Sequence, residues 1–356
     1  MKSYAKMADI MNITVNTTTS ADKSNDIEPH QRVLINIACV LLAFGTTVSF
    51  YNTFALIQTR VDSILSKILM YNHNIFNGTF CIVVGYLLAS FNYTFQLGNK
   101  SGNPFICYAL QAGFLVILCG ASVICNVICQ CADRFWAIIY PKSYRVHTKR
   151  YIISCYVFIC TYSGVVASLR LLRTDLVNGR CIPIDEYRRK YVLAMTEIAL
   201  LYILPVVMMV SLTVPIIWHL RQYLLGTLRN NKITPVSQQT ISDRLGRSDG
   251  SLNALYVAQR GIFLNSMILV IELILLVTIL LILLVLDKLR LALFGIASPF
   301  RIYYLFVVTL TCTFNPFITT FTVTPLRRTV GNQWRKCNFH IRTIHTKCLC
   351  LHPESN

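Results

Sequence analysis

"CADRFWAIIYPKSYR", residues 131–145, closes a long run without charge: no Asp, Glu, Lys or Arg lies between Lys100 and Asp133. An Asp and an Arg then stand side by side. Pro141 follows seven residues after the Arg, and a short basic stretch leads into another apolar run. A helix rises 1.5 Å per residue, so about 20 apolar residues cross a hydrocarbon core ~30 Å thick. The run before Asp133 is long enough. The two charges therefore mark a membrane rim, and the next question is how often the chain crosses.

Six more runs of this kind occur, at 33–59, 68–99, 151–169, 191–218, 261–286 and 302–326, interrupted only by Glu197 and Glu272. Residues are 54% hydrophobic and 13% charged, against about 25% charged in an average soluble domain. Barrel strands would be about ten residues long and alternate polar with apolar, and these runs do not. The sequence predicts an all-α integral membrane protein, a seven-transmembrane helix bundle. Its spans fall at about 33–59, 68–96, 104–132, 151–169, 191–218, 261–286 and 302–323. Residues 1–31 read as an extracellular disordered tail, 32–326 as the membrane domain and 327–356 as a cytoplasmic tail with a short amphipathic helix.

Orientation follows from sugar and charge. The N-terminal tail holds no apolar core of signal-peptide length, so the first span inserts the chain. It carries "NIT" at Asn12 and "NTT" at Asn16, glycosylation sequons that work only on the lumenal side. That places the N-terminus outside and, after seven crossings, the C-terminus inside, in a multi-pass plasma-membrane protein. Lys and Arg are then more numerous on the inner side, as positive-inside ordering requires. The net charge of +18 is divided among short loops, which speaks for topology and against a nucleic-acid partner. The inner loops 60–67 and 140–150 are short. The third, 219–260, reads as flexible at its centre.

Of fourteen cysteines, nine fall within spans, where a thiol behaves as a small hydrophobe. Three lie on the reducing inner side. Cys107 and Cys181 remain at the outer face, and one disulfide is expected there.

No enzyme site is expected, and no cofactor or metal site. None of the seven His residues is placed as a metal pair, and phosphate loops, HExxH and nucleophile elbows are absent. Glu197 and Glu272 lie within spans, where an acid is costly and points to function. Glu197 is close enough to the outer face to meet Arg170 or Arg173, whereas Glu272 has no evident partner. Asn52 sits deep in the first span. Pro205 in "LLYILPVVMMV" leaves a carbonyl free and lets the fifth helix kink or bulge. In "TFNPFITTF" the Asn315 side chain is expected to bond the carbonyl released by Pro316.

Together these features resemble the rhodopsin-like, class A, G-protein-coupled receptors, over about 33–338. "DRF" at Asp133, Arg134 and Phe135 is similar to the family's Asp-Arg-Tyr, and "WAIIYPKSY" to its second-loop pattern with Pro141. "NPFIT" resembles Asn-Pro-x-x-Tyr, with Thr319 in place of the tyrosine. Asn52 and Pro205 match family markers in helices one and five. Cys107, 27 residues before Arg134, lies two residues farther than in the family, which pairs it with a second-loop cysteine, here Cys181. Cys337, in the surface helix after the seventh span, is a palmitoylation candidate. The second-helix acid of the sodium site, the fourth-helix Trp, the sixth-helix Trp and Pro, and an acid at the start of helix six to hold Arg134 are missing.

The resemblance implies a receptor that binds an extracellular ligand and activates a heterotrimeric G protein. Asp133 would neutralise Arg134 at rest. On activation helices five and six would move outward and expose Arg134 to the G protein, while Pro141 would end the helical turn that presents loop two. Asn52, Pro205, Asn315 and Pro316 would serve as the activation switch, and Val116, Glu197 and Thr309 would line the ligand pocket. Val116 stands where aminergic receptors carry an Asp, and Thr309 where opsins carry the retinal lysine, so neither ligand is expected. Glu197 could receive a cationic group, and the basic second outer loop could attract an acidic peptide or lipid head group. A peptide is the leading expectation. The alternatives are a seven-helix transporter, channel or scaffold without a G protein, and an orphan receptor that signals constitutively or dimerises.

Overall fold

A bilayer offers backbone groups no water, so a spanning chain must close its own hydrogen bonds, and uncharged runs of this length do so as helices. The computed structural model describes residues 29–59, 63–97, 104–177, 180–183, 187–231, 242–288 and 299–350. In order it has α1 (Pro29–Gln58), α2 (Ile64–Leu97), a π-helical turn (Ile106–Gln111), α3 (Phe114–Ile139) and α4 (Pro141–Leu171). An antiparallel hairpin follows, β1 (Thr174–Val177) with β2 (Arg180–Pro183). Next come α5 (Tyr187–Ile198), a π-helical turn (Ala199–Ile203), α6 (Leu204–Asn231), α7 (Ser242–Lys288), α8 (Pro299–Thr322) and α9 (Thr324–Cys350).

Among the described residues, six helical stretches are long and apolar enough to cross a membrane: Pro29–Gln58, Phe114–Ile139, Val146–Leu171, Met195–His219, Gly261–Leu283 and Ile302–Thr322. The 34-residue α2 lies between α1 and α3 and also touches α8. It carries Asn72, His73, Asn74 and Asn77 buried inside the bundle. This is an all-α membrane helical bundle.

Burial runs opposite to that of a soluble protein. Ser49, Asn52, Asn77 and Asn126 are at most 1% exposed, whereas Val40, Phe54, Ile153, Val207 and Leu275 are all more than half exposed. Lipid accepts the large apolar side chains, and helix-to-helix bonds need the polar ones. One core cluster joins Ile35, Leu42, Cys81, Val84 and Cys312 across α1, α2 and α8. A second joins Ile124, Ile128, Val166, Met209 and Leu269 across α3, α4, α6 and α7. A third packs Leu326 of α9 against Ala55, Leu56, Met70 and Ile262, fixing the root of α9 at the Arg134 end.

Several expected boundaries are corrected. The 140–150 segment is helix from its first Pro, not loop: Pro141 opens α4 at a position where its missing N–H costs nothing. α3 stops at Ile139 with Tyr140 as its C-cap, so Pro141 closes one helix and opens the next. Of the 219–260 segment, α6 continues to Asn231 and α7 begins at Ser242, while 232–241 lies outside the described residues. The third span is not one rod either. A π turn carries Cys107, and Gly113 breaks the rod with φ 78°, a left-handed conformation natural to glycine. The helix after the seventh span is 27 residues long, not short.

Glycine sets the closest approaches. A Cβ on Gly261 would stand 2.5 Å from the Thr322 carbonyl oxygen, and one on Gly45 would stand 3.0 Å from Thr313 Cα, whereas Gly164 has open space around it. Gly261→Ala must therefore push α7 from α8. Overpacking of this kind costs about 1–3 kcal/mol. Its thermal midpoint in a purified-protein unfolding assay should fall by several degrees, with Gly164→Ala at wild-type stability; equal midpoints would contradict this packing.

Candidate functional site

At one end of the bundle Asp133 and Arg134 are 1% and 3% exposed. Removing two ions from water costs several kcal/mol each, which is offset only when geometry and further hydrogen bonds are good. Those bonds are present. Arg134 Nε donates to Asp133 Oδ2 at 3.0 Å, and Arg134 Nη2 contacts the same oxygen and Ser66 Oγ. Ser66 Oγ donates to Asp133 Oδ2 at 2.9 Å, and the Tyr144 hydroxyl donates to Oδ1 at 2.7 Å. Ser63 Oγ lies 2.7 Å from the Tyr144 hydroxyl and accepts from Ser66 N–H at 3.3 Å, capping α2. Three helices thus meet on one carboxylate. Pro141 starts α4 and so places Tyr144 in its first turn, facing Asp133. Phe135 packs edge-on to Tyr140 with ring centroids 6.2 Å apart, and Trp136 edge-on to Tyr151 at 5.2 Å. Among the described residues, Asp133 is the acid that pairs with Arg134.

A second polar group occupies the bundle interior. Pro316 has no N–H, which frees the carbonyl of Cys312 four residues earlier. Asn77 of α2 takes it, donating at 2.9 Å, and also donates to Ser49 Oγ at 3.1 Å. Asn52 of α1 donates to the Pro316 carbonyl at 2.6 Å and accepts from Thr320 Oγ1 at 2.9 Å. The expected Asn315 bond to the released carbonyl is therefore corrected: a neighbouring helix reaches it first. The Asn315 amide, turned with its nitrogen toward α7, donates instead to Glu272 Oε2 at 2.5 Å, with Oε1 at 3.3 Å. Glu272 thus has a partner, on α8. Pro205 follows the same rule. The preceding turn has slipped to π register, so the carbonyl five residues back, Leu200, is the one facing the missing N–H. The Tyr162 hydroxyl of α4 donates to it.

At the Cys107 end, Glu197 is 5% exposed and both its oxygens are engaged, Oε1 by Arg170 at 2.5 Å and Oε2 by Arg173 at 2.7 Å. The pairing expected with Arg170 or Arg173 is present with both. A cationic ligand group at Glu197 would have to share oxygens that each already accept from a guanidinium. Val116 packs partly buried against the α1–α2–α8 cluster. Thr309 is fully buried, and its hydroxyl returns to the Leu305 carbonyl at 2.9 Å. Val116 and Thr309 therefore line helix contacts more than an open cleft. Cys107 is disulfide-bonded, and β2, which contains Cys181, packs on the π turn that carries it. Asn12 and Asn16 lie outside the described residues. Cys337 falls within α9, with its side chain outside the description. Among the described residues no group of His, Cys, Asp or Glu is arranged to hold a metal.

Sequence reading missed Ser63, Ser66 and Tyr144 at the charged rim, and Asn77 and Tyr162 at the prolines. Only Ser63 carried a local signal, as a Ser opening an apolar run. The others depend on which helices become neighbours.

The model of the 7 transmembrane receptor (rhodopsin family) matches residues 78–318, well over half of the chain. The chain belongs to the rhodopsin family of seven-transmembrane receptors, and is a multi-pass membrane protein. A comparison with curated proteins finds no match.

Tyr144 gives a direct check on the rim. Burial, then the adjacent Asp133 charge, pushes its hydroxyl up to about 12. It therefore remains a donor throughout the physiological range, and its contribution is constant below the unfolded value of about 10. It declines as pH rises from about 10 toward 12, where only the unfolded chain ionises readily. Tyr144→Phe should destabilise the protein by about 1.5–3 kcal/mol, as for a hydrogen bond to a charged group. The loss should be the same at pH 6 and pH 9 in thermal unfolding; a loss that varies across that window would contradict the assignment.

Proposed function

We propose that the protein is a plasma-membrane receptor that binds an extracellular ligand, a peptide being favoured, and activates a heterotrimeric G protein through Arg134. The observation that carries this reading is the buried guanidinium at one end of the bundle. Its contacts to Asp133 and Ser66 are local to α2 and α3 and can be exchanged without unfolding any helix. In this reading the Arg134 end faces the cytoplasm and the Cys107 end the medium, with Asn12 and Asn16 glycosylated outside and Cys337 palmitoylated inside. Cys181 is the proposed partner of Cys107. This is supported by the packing of its strand on the Cys107 turn and by the free state of nine further cysteines whose side chains are described.

In the resting protein Asp133 holds Arg134 with help from Ser66 and Tyr144. Activation would separate α6 and α7 from α3, and Arg134 would leave Asp133 for the C-terminal carbonyls of a G-protein helix. Phe135 and the α4 start at Pro141 would form the adjoining contact surface. Asn52, Asn315, Pro316 and Pro205 act in this reading as the adjustable joints that allow the rearrangement. The Glu272–Asn315 bond ties α7 to α8 and would have to be remade during it.

Arg134→Ala should abolish agonist-independent and ligand-driven nucleotide exchange on co-expressed G proteins while surface antibody labelling stays at wild-type level. Undiminished second-messenger output from a well-expressed Arg134→Ala receptor would overturn the reading.

A further inference from the structure

We infer that Arg170 and Arg173 form a receiving site for an oxyanion, a carboxylate or phosphate, carried by the molecule that binds at the Cys107 end. The inference rests on the receptor reading for that end's facing the medium, and gives the ligand a chemical class.

Among the described residues, charge does not balance at this position. Two guanidiniums converge on one carboxylate, at 2.5 Å and 2.7 Å. A one-to-one pair would neutralise Glu197; the second arginine leaves an excess positive charge at the edge of a low-dielectric bundle. Such an excess is costly unless another anion completes it. One guanidinium donor is also left over. Arg170 Nε is buried and has no hydrogen-bond partner among the described residues, although buried polar groups are nearly always paired. The glutamate side chain is 6% exposed, while those of Arg170 and Arg173 keep 33% and 24%. The accessible part of the cluster is therefore its cationic part.

The arginines are also held ready. Glu197 of α5 fixes both guanidiniums, and the Tyr162 hydroxyl of α4 holds the Leu200 carbonyl in the π turn immediately after α5. These two contacts lock α4 to the fifth crossing. Tyr202, in the same π turn, lies within electrostatic reach of Glu197 and Arg170 and shares a hydrogen bond with Tyr304 of α8. The cluster thus extends from α4 toward α8 across the mouth of the bundle. Planar guanidiniums positioned in this way bind carboxylate or phosphate with paired N–H donors. The oxyanion can arrive on a ligand from the medium or on an anionic lipid of the outward leaflet, and the chemistry at Arg170 and Arg173 is the same.

The test uses the full-length protein in phosphatidylcholine nanodiscs, titrated with hexyl phosphate, with hexanol as the uncharged control. The unfolding midpoint should rise saturably with hexyl phosphate alone. The Arg173→Gln variant keeps a neutral Arg170–Glu197 pair and so retains a folded reference. It should bind the probe about tenfold more weakly or worse, the loss of one charge-assisted bond. The triple variant Arg170→Gln/Arg173→Gln/Glu197→Gln, which leaves no unpaired ion, should not respond at all. In a second arm phosphatidylglycerol replaces phosphatidylcholine. An arginine-dependent rise there, with no further response to hexyl phosphate, identifies a lipid headgroup as the source. The inference is overturned if neither anion raises the midpoint, or if Arg173→Gln responds like wild type. No G protein takes part in this readout, so its failure is distinct from a failure of Arg134 coupling.

Discussion

An unpaired backbone carbonyl is costly in hydrocarbon, and of the three prolines within the spanning helices, Pro205, Pro215 and Pro316, two release a carbonyl that another helix takes up. Pro316 frees the Cys312 carbonyl and Pro205, through its π turn, the Leu200 carbonyl. An isolated unpaired group in lipid costs several kcal/mol. At Pro316 and Pro205 the released carbonyl is taken by a side chain from another helix: Asn77 of α2 in the first case, Tyr162 of α4 in the second. What would be a defect within one helix becomes a tie between two. The polar group around Pro316 and the link between α4 and the fifth crossing follow from these two ties.

Around Pro316 the tie widens into a group that includes α1 and α7. Asn52 holds the next accessible carbonyl, Ser49 shares Asn77, and Asn315, relieved of any duty to its own helix, turns to Glu272. Interhelical hydrogen bonds in membranes contribute only about 0.6 kcal/mol each on average. A group of this kind therefore specifies register and can be remade without large cost, which suits a joint better than a rivet. Farther along α2 and α3, the Asp133–Arg134 pair obeys the same rule with charges. Burial is tolerable because Ser66 and Tyr144 complete the carboxylate, and removing any one of them leaves an ion short of partners.

Much of this was legible in the sequence, because lipid imposes simple demands on composition. Seven uncharged runs gave the bundle, and Asp133, Arg134, Asn52, Pro205, Asn315 and Pro316 stood out as polar or helix-breaking residues where neither belongs. The neighbourhoods were not legible. Asn315 sits next to Pro316 in sequence and was the natural partner for its released carbonyl, yet Asn77, 235 residues from Cys312, reaches that carbonyl. Glu272 looked solitary for the same reason, since Asn315 approaches it only once α7 and α8 pack. Tyr144 is hidden in a stretch that reads as loop, because Pro141 ends α3 and, as the sequence does not show, also begins α4. Glu197 was the reverse case: Arg170 and Arg173 lie within reach along the chain, and the pairing was foreseeable, though not that both would bind at once.

The central claim, that Asn77 is there to take the carbonyl Pro316 releases, is tested most directly by a double-mutant cycle on unfolding free energy. Pro316→Ala restores an N–H, so the Cys312 carbonyl regains a partner in its own helix. Asn77→Leu should then cost clearly less in the Pro316→Ala background than in wild type, with a coupling of about 1 kcal/mol or more. Additive losses, equal within about 0.5 kcal/mol, would contradict the account.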